Sequence, residues 1–264
     1  MVQVQDMMGR TVFIKEQCKK IVSLVPSQTE LLYDLGLEAH IVGITKFCVH
    51  PARALKEKMI VGGTKKVRFD LIIQLNPDII IANKEENAQS DIEYLEKQYP
   101  VWISDIQTFE QNEQMIQLIA QLFHKENEAK TLIEHIHSAW QNIPQISKPL
   151  KVAYCIWKEP WMFVARHTFI HDMLCKLGFT NCFSDDERYP MVSLEHLQSL
   201  QPDIIMLSTE PYPFQDKHKQ LLQPYFPKSK IIIVDGEMFS WYGSRMLAAA
   251  SYMQQLLVQI QKEF

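Results

Sequence analysis

Hydrophobic and polar positions change period twice along the chain. From Lys20 to Ser104 short β-branched runs alternate with amphipathic stretches: Lys20–Val25, Ile41–Thr45, Ile79–Ala82 and Val101–Ser104 read as buried strands, with helices between them. From about Thr108 the spacing turns helical. Met115, Ile116, Ile119, Leu122, Ala129, Leu132, Ile133, Ile136, Trp140 and Ile143 keep that period up to Pro144 and Pro149. The pattern allows one helix of about 35 residues, or two with a break at the polar stretch Lys125–Glu128. Strand and helix then alternate again: a strand over Leu150–Ile156, a helix over Thr168–Leu177, strands over Ile204–Leu207 and Ile231–Val234, and a last helix from about Ser244. Such alternation predicts parallel sheets covered by helices.

The chain also repeats itself. Around Pro77 it reads FDLIIQLNPDIIIAN and around Pro202 it reads VSLEHLQSLQPDIIMLS. In each, an amphipathic stretch reaches Leu-x-Pro-Asp, proline ends the helix, and the apolar run that follows suits a buried parallel strand. The copies lie too far apart for a solenoid repeat, so the repeat predicts two similar lobes with a cleft. The expected spans are an N-terminal α/β lobe over 1–107, a helical connector over 108–148 and a C-terminal α/β lobe over 149–264.

Local signals sharpen the first strand and helix of each lobe. Pro26 reads as a strand stop, and Ser27-Gln28-Thr29-Glu30 matches a capping box that opens a helix closed by Gly36. In the second lobe Gly178 closes the matching helix, but the segment before that helix is longer and contains Trp157-Lys158-Glu159-Pro160-Trp161. An aromatic insertion at the carboxyl end of a strand falls where open α/β sheets bind ligands.

Composition narrows the function classes. A net charge of −4 and the lack of a dense Lys/Arg block give no reason to expect nucleic acid. No apolar run reaches the roughly 18–20 residues of a membrane span. The first residues, MVQVQDMMGRTVFIKEQ, lack the apolar core of a secretory signal, so the sequence points to the cytoplasm if Met1 is the native start. The five cysteines (Cys18, Cys48, Cys155, Cys175, Cys182) form no CxxC pair and read as free thiols of a reducing compartment.

Candidate chemistry gathers in the inferred strand-to-helix loops. Phe47, Trp157, Trp161, Tyr212, Phe214, Phe239, Trp241 and Tyr242 are aromatic there, and as a set they suit a large, flat, partly apolar ligand. Arg166 and Arg245 are candidate contacts for an anionic group, Arg245 near the start of the last helix. Cys48 and His50 invite a nucleophile reading, though no third orienting group is recognisable. His167 and His171 have the i, i+4 spacing that can pair on one helix face, without the glutamate of a metalloprotease. No glycine-rich phosphate loop or dinucleotide fingerprint is present.

Several motifs together resemble a known family. They are Asp6-x-x-Gly9-Arg10, Lys20-Ile-Val-Ser-Leu-Val-Pro-Ser-x-Thr-Glu-Leu-Leu32, Val61-Gly62-Gly63, Trp161-Met162-x-x-Ala165-Arg166, Tyr189-Pro190-x-Val192-Ser193-Leu194 and Asp235-Gly236-x-x-Phe239-Ser240-Trp241-Tyr242-Gly243-Ser244-Arg245. In order and spacing they look like the class III periplasmic binding proteins of ABC importers, the type that binds cobalamin or iron-siderophores. The resemblance implies two Rossmann-like α/β lobes joined by a rigid interlobe helix, a chelatase-like fold, with a break near Lys125. It implies a metal chelate as ligand (cobalamin or another corrinoid, a ferric siderophore, or haem), no cofactor, and no enzymatic role. The expected contacts are Phe47 and His50 from the first lobe, and Trp157, Trp161, Arg166, Tyr212, Phe214, Trp241, Tyr242 and Arg245 from the second. It further implies a monomer, periplasmic or at the cell surface, that docks on an ABC permease through a glutamate on each lobe. Here Gln89 stands near the first such place, and Thr209–Pro211 with Gln215–His218 gives no clean match for the second. The alternatives are a cytoplasmic chelate carrier without a permease and an enzyme using Cys48 and His50.

Overall fold

The duplicated Leu-x-Pro-Asp segment builds the same corner twice in the computed structural model, which describes residues 1–144, 146 and 148–262. Positions 145 and 147 of the predicted connector and the last two of the predicted second lobe lie outside the described residues. By contacts the chain forms two compact units. The first comprises Met1–Ile106, Glu110–Ile136 and Tyr242–Arg245; the second comprises Gln107–Phe109, His137–Trp241 and the chain from Met246.

The first unit opens with an antiparallel hairpin, β1 (Val2–Gln5) and β2 (Thr11–Ile14), which the hydrophobic pattern did not reveal. Then follow β3 (Ile21–Ser23), α1 (Pro26–Asp34), β4 (Ile41–Ile44), α2 (Ala54–Glu57), β5 (Met59–Ile60), α3 (Phe69–Leu75), β6 (Ile79–Asn83), α4 (Gln89–Leu95) and β7 (Val101–Ser104). The five strands from β3 onward make a parallel sheet in the order β5-β4-β3-β6-β7. Its β-branched residues fill a core in which Val22, Leu24, Ile72, Ile80 and Ala82 are fully buried.

Pro26 does not merely stop β3; it is the first residue of α1. Proline is pre-organised for that position and lacks an N–H that would go unpaired there. Ser27 therefore lies inside the helix, the cap residue is Val25 without a side-chain cap bond, and the predicted capping box does not form. Glu30 is released for another partner. At the other end Gly36 takes φ +73°, and Leu37 N–H donates to Leu32 O at 2.9 Å, as expected of a glycine-closed helix.

The helical stretch is two helices, α5 (Phe109–Leu122) and α6 (Glu126–Gln141), broken by His124 at φ 55°. The break falls at the polar stretch, as the resemblance implied. The division between the units lies inside α6, after Ile136.

The second unit contains β8 (Lys151–Trp157), β9 (Met162–Phe163), α7 (Phe169–Lys176), β10 (Thr180–Asn181), α8 (Leu194–Leu200), β11 (Ile204–Ser208), α9 (Asp216–Leu222), β12 (Lys230–Val234), α10 (Gly236–Ser240) and α11 (Met246–Gln261). The sheet order is β10-β8-β11-β12, all parallel, and β9 folds back antiparallel on β8. The extra segment of this lobe is thus a hairpin. The stretch after β12, read as a loop, holds the short α10, capped by Asp235, whose side chain accepts from Glu237 N–H.

In both lobes a left-handed residue ends the helix before the proline, Asn76 at φ 46° and Gln201 at φ 51°. The aspartate after the proline then clamps the chain at the start of β3 in the first lobe and of β8 in the second. Asp78 N–H donates to Lys20 O at 2.8 Å while Asp78 Oδ2 accepts from Lys20 N–H at 3.0 Å. Asp203 does the same with Lys151, at 2.9 and 2.7 Å.

Candidate functional site

Each sheet changes direction once. In the first, the chain moves from β3 outward to β4 and β5, then returns to β6 on the other side of β3; in the second, β8 leads to β10, and β11 then pairs with the opposite side of β8. Loops at the carboxyl ends of such neighbouring strands diverge and leave a crevice, the usual ligand position of open α/β sheets. In the second lobe the loops are those after β8 and β11, and they hold Trp157, Trp161, Tyr212 and Phe214, half of the predicted aromatic set.

Trp157, at the end of β8, is 39% exposed and meets the edge of Tyr212 with ring centroids 5.5 Å apart. Trp161 stacks on Phe214 at 6.1 Å, the planes within 6° of parallel. Tyr212 and Phe214 are themselves 4.6 Å apart. The four residues form one cluster, graded from the exposed Trp157 to Phe214, which is buried in the lobe core. Rings so packed lose little freedom on meeting a ligand, which favours stacking by the outer members.

His218 supports this cluster and was not among the predicted residues. Gln215 N–H donates to its Nδ1 at 2.9 Å, so the neutral ring carries its proton on Nε2, 3.4 Å from the Tyr212 hydroxyl. Burial, with Lys217 and Lys158 nearby, holds His218 below the ordinary histidine range. Its position three residues into α9, after the cap residue Gln215, was the available sequence signal.

Glu210 was read only within a stretch considered for docking. Its Oε1 accepts from Trp241 Nε1–H at 2.9 Å and from Ser240 Oγ–H at 3.0 Å. Trp241 is buried in that orientation. Arg166, by contrast, is exposed and lies 3.4 Å from Glu187, a surface pair of little energetic weight. His167 precedes α7 at φ 61°, so it shares no helix face with His171, and their predicted pairing gives way.

Tyr242–Arg245, expected to act from the second lobe, pack into the first unit. Gly243 adopts φ +81°, and its N–H donates to Asn112 Oδ1 at 2.5 Å; a Cβ there would stand 3.3 Å from Leu31 Cβ. Arg245 is buried, its Nε–H donating to Glu30 Oε2 at 2.9 Å. Burial pushes the Glu30 carboxyl above its ordinary range, against the pull of Arg245 and of the nearby His50. Burial, the charge of Glu86 among its neighbours, also pushes the Tyr242 phenol up, with Ser27 and Ser104 hydroxyls alongside. The loop after β4 supplies Phe47, 48% exposed with the Lys46 ammonium 4.9 Å from its centroid, and the half-buried His50.

Cys48 does not have the environment of a nucleophile. It is fully buried between the hydroxyls of Thr29 and Thr45, at 3.1 and 3.2 Å, and burial raises its thiol. Among the described residues no group of three or more His, Cys, Asp or Glu is placed to hold a metal ion. No described helix is long and apolar enough to cross a membrane.

Comparison with known proteins agrees with this architecture. The chain is 27% identical over 216 residues to an uncharacterized ABC transporter substrate-binding lipoprotein, YvrC, of Bacillus subtilis (strain 168), covering 78% of this chain and 68% of that one. It is 26% identical over 245 residues to the vitamin B12-binding protein of Photorhabdus laumondii, covering 90% and 87%. A crystal structure of a possible iron-binding (periplasmic solute-binding) protein from Staphylococcus epidermidis superposes with a TM-score of 0.76 at 25% identity, over 92% of this chain and 99% of that one. The model of the periplasmic binding protein family matches residues 21–223, most of the chain, and the protein belongs to that family.

Proposed function

We propose that this protein is the receptor of an ABC importer, acting outside the cytoplasmic membrane, and that its cargo is a metal chelate: a corrinoid, a haem or a ferric siderophore. The observation that carries the reading is the graded cluster of Trp157, Trp161, Tyr212 and Phe214 at the switch point of the second sheet. Flat rings of this size match the faces of a macrocycle or an aromatic chelator. The vitamin B12-binding and possible iron-binding relatives support the same class of cargo. The substrate-binding lipoprotein relative supports delivery to a permease. The burial of Cys48 supports binding over catalysis.

The test is a titration with cobalamin, cobinamide, haemin and a set of ferric siderophores, followed by tryptophan fluorescence. Trp157 and Trp161 lie in the cluster, so the cargo quenches emission saturably at micromolar concentration or below. Absence of saturable quenching and of calorimetric heat with every chelate overturns the proposal.

A further inference from the structure

The first sheet changes direction at β3, and side chains at the carboxyl ends of β3, β6 and β7 join in one polar network within the first unit. Asn83 ends β6. Its Oδ1 accepts from the backbone N–H groups of Glu85 and Glu86, at 2.8 and 3.0 Å, and its Nδ2 donates to Ser104 Oγ at 3.0 Å. Asn87 holds the same loop from the other side: its Oδ1 accepts from Asn83 N–H at 2.8 Å, and its Nδ2 donates to Leu24 O at 3.2 Å and to Thr64 O at 3.0 Å. Gln28, in the first turn of α1, donates from Nε2 to the Ser104 hydroxyl. The loop carrying Glu86 is thus fixed before any ligand arrives.

Two acceptors in this network are left without a donor. Gln28 is fully buried, and its Oε1 has no hydrogen-bond partner among the described residues. Glu86 is half-buried, and no described residue donates to its carboxylate. The lysines of these loops are engaged elsewhere: Lys65 donates to Glu85 O, and Lys84 lies 2.6 Å from Asp105. Burial pushes the Glu86 carboxyl above its ordinary range, against the pull of Lys65 and with the charge of Glu85. The charge of Glu86 also reaches the Tyr242 phenol, beside the Ser27 and Ser104 hydroxyls. Buried acceptors without donors cost stability unless a ligand supplies the donors. At the switch point of an open sheet such groups mark a binding position.

We propose that Glu86 is the specificity-determining residue of the first lobe, selecting a chelate whose rim carries amide groups and no acidic ones. The inference rests on the chelate-receptor reading above and narrows its cargo. An amide matches a half-buried carboxyl in either protonation state: its N–H meets a carboxylate oxygen, and its C=O meets an acid proton. A cargo carboxylate matches only the protonated form, so a proton must be taken up as it binds, and Glu85 adds like charge. Gln28 Oε1 adds a second acceptor on the same network. Corrinoids, with peripheral carboxamides, and ferric trihydroxamates on a peptide backbone have the required rim. Haemin with its propionates, and ferric tris-catecholates with their negative charge, do not.

The experiment titrates the folded protein, E86Q and E86A calorimetrically with cobinamide, a peptidic ferric trihydroxamate, haemin and a ferric tris-catecholate. The wild type is expected to bind cobinamide or the trihydroxamate at least about tenfold more tightly than the acidic chelates, and the tighter of the pair identifies the cargo. E86A removes the hydrogen-bonding group and weakens that chelate about tenfold or more. E86Q retains an acceptor oxygen and adds a donor. It costs that chelate about threefold or less, while haemin binding tightens about tenfold because the proton is no longer required. An acidic chelate bound more tightly than either amide-rimmed one overturns the inference. Substitutions that change every affinity by the same factor, the mark of a structural role, overturn it too. If E86Q does not fold, the wild-type ranking and E86A decide. Absence of binding by all four chelates overturns the receptor reading itself, and the inference falls with it.

Discussion

Arg245 and Glu30 are joined by two contacts although 215 positions separate them in sequence: Nε–H donates to Oε2 at 2.9 Å, and the second guanidinium nitrogen lies 2.7 Å from Oε1. The pair fastens Tyr242–Arg245 to the first turns of α1, where the missing capping box left Glu30 available. Removing one partner strands a charge. Arg245→Ala is expected to lower unfolding free energy by about 2 kcal/mol, below the 3–5 of a fully dry pair because Glu30 keeps some solvent. Burial already raises the Glu30 carboxyl, and loss of Arg245 raises it further. The folded variant then binds a proton before its unfolded chain does, so the deficit narrows as pH falls through the raised value toward the ordinary 4.5. Urea denaturation of wild type and variant at pH 7 and pH 5 checks this; a deficit that does not narrow contradicts it.

The repeated corner gives a second test, with one variant in each lobe. Asp78→Ala and Asp203→Ala each remove a charged acceptor from a backbone N–H, of Lys20 just before β3 and of Lys151 at the start of β8, at an expected cost of about 2 kcal/mol. Asp78→Asn retains an acceptor oxygen and costs less. Burial pushes the Asp78 carboxyl up, but Lys15 and the N–H groups of Lys19 and Lys20 outweigh it and hold it below 3.8. Its contribution is complete above that unfolded value and disappears as pH falls through the lower folded one. Chemical denaturation between pH 7 and pH 2 is the measurement, and Asp78→Asn is expected to flatten the acid end.

The repeat and the hydrophobic periods were enough to read the two parallel sheets and the helical stretch, because buried strands and amphipathic helices leave regular traces. The β1–β2 hairpin left a weaker trace: VQVQ alternates and Val12 and Ile14 face inward, but each strand is only four residues long and Val2 and Phe13 are exposed, so the pattern does not stand out from a polar N-terminal segment. Aromatic residues at strand ends identified Trp157, Trp161, Tyr212 and Phe214 as a set. Their support was less legible. Glu210 meets Trp241, and His218 meets Tyr212, only through the fold, and an isolated Glu or His in a polar loop looks like any solvated residue. Tyr242–Arg245 lie within the second lobe's span in sequence but pack in the first unit, a contact decided by Glu30 and Asn112 far upstream.

Acid is expected to loosen α9 and the aromatic cluster through His218. Its Nδ1 faces the Gln215 N–H, so protonation places two hydrogens against each other. Burial lowers its folded value below the ordinary 6.5, and the unfolded chain therefore takes up the proton first. Stability from this group is complete above 6.5 and is lost as pH falls below it. His218→Gln, which does not titrate, should show a shallower loss of melting temperature between pH 7 and pH 5. Parallel curves for the two proteins would assign the acid sensitivity elsewhere.

The last prediction concerns Trp241 as a ligand contact. Its indole is buried and its Nε1–H is held by Glu210, so its orientation is fixed, and a fixed aromatic anchor loses little entropy when it stacks. Truncating such an anchor typically costs 2 kcal/mol or more. With about 1.4 kcal/mol per tenfold, Trp241→Ala should weaken chelate binding at least about thirtyfold. Glu210→Ala keeps the ring and frees its orientation, so a smaller loss, about threefold to tenfold, is expected from restored side-chain freedom. Trp241→Phe keeps an aromatic face without the N–H and should fall between the two. Calorimetric titration of the folded variants, each checked by its thermal transition, provides the ranking. If Trp241→Ala binds the cargo as tightly as the parent, the ligand does not stack on this residue and the contacts must be sought around Trp157 and Trp161.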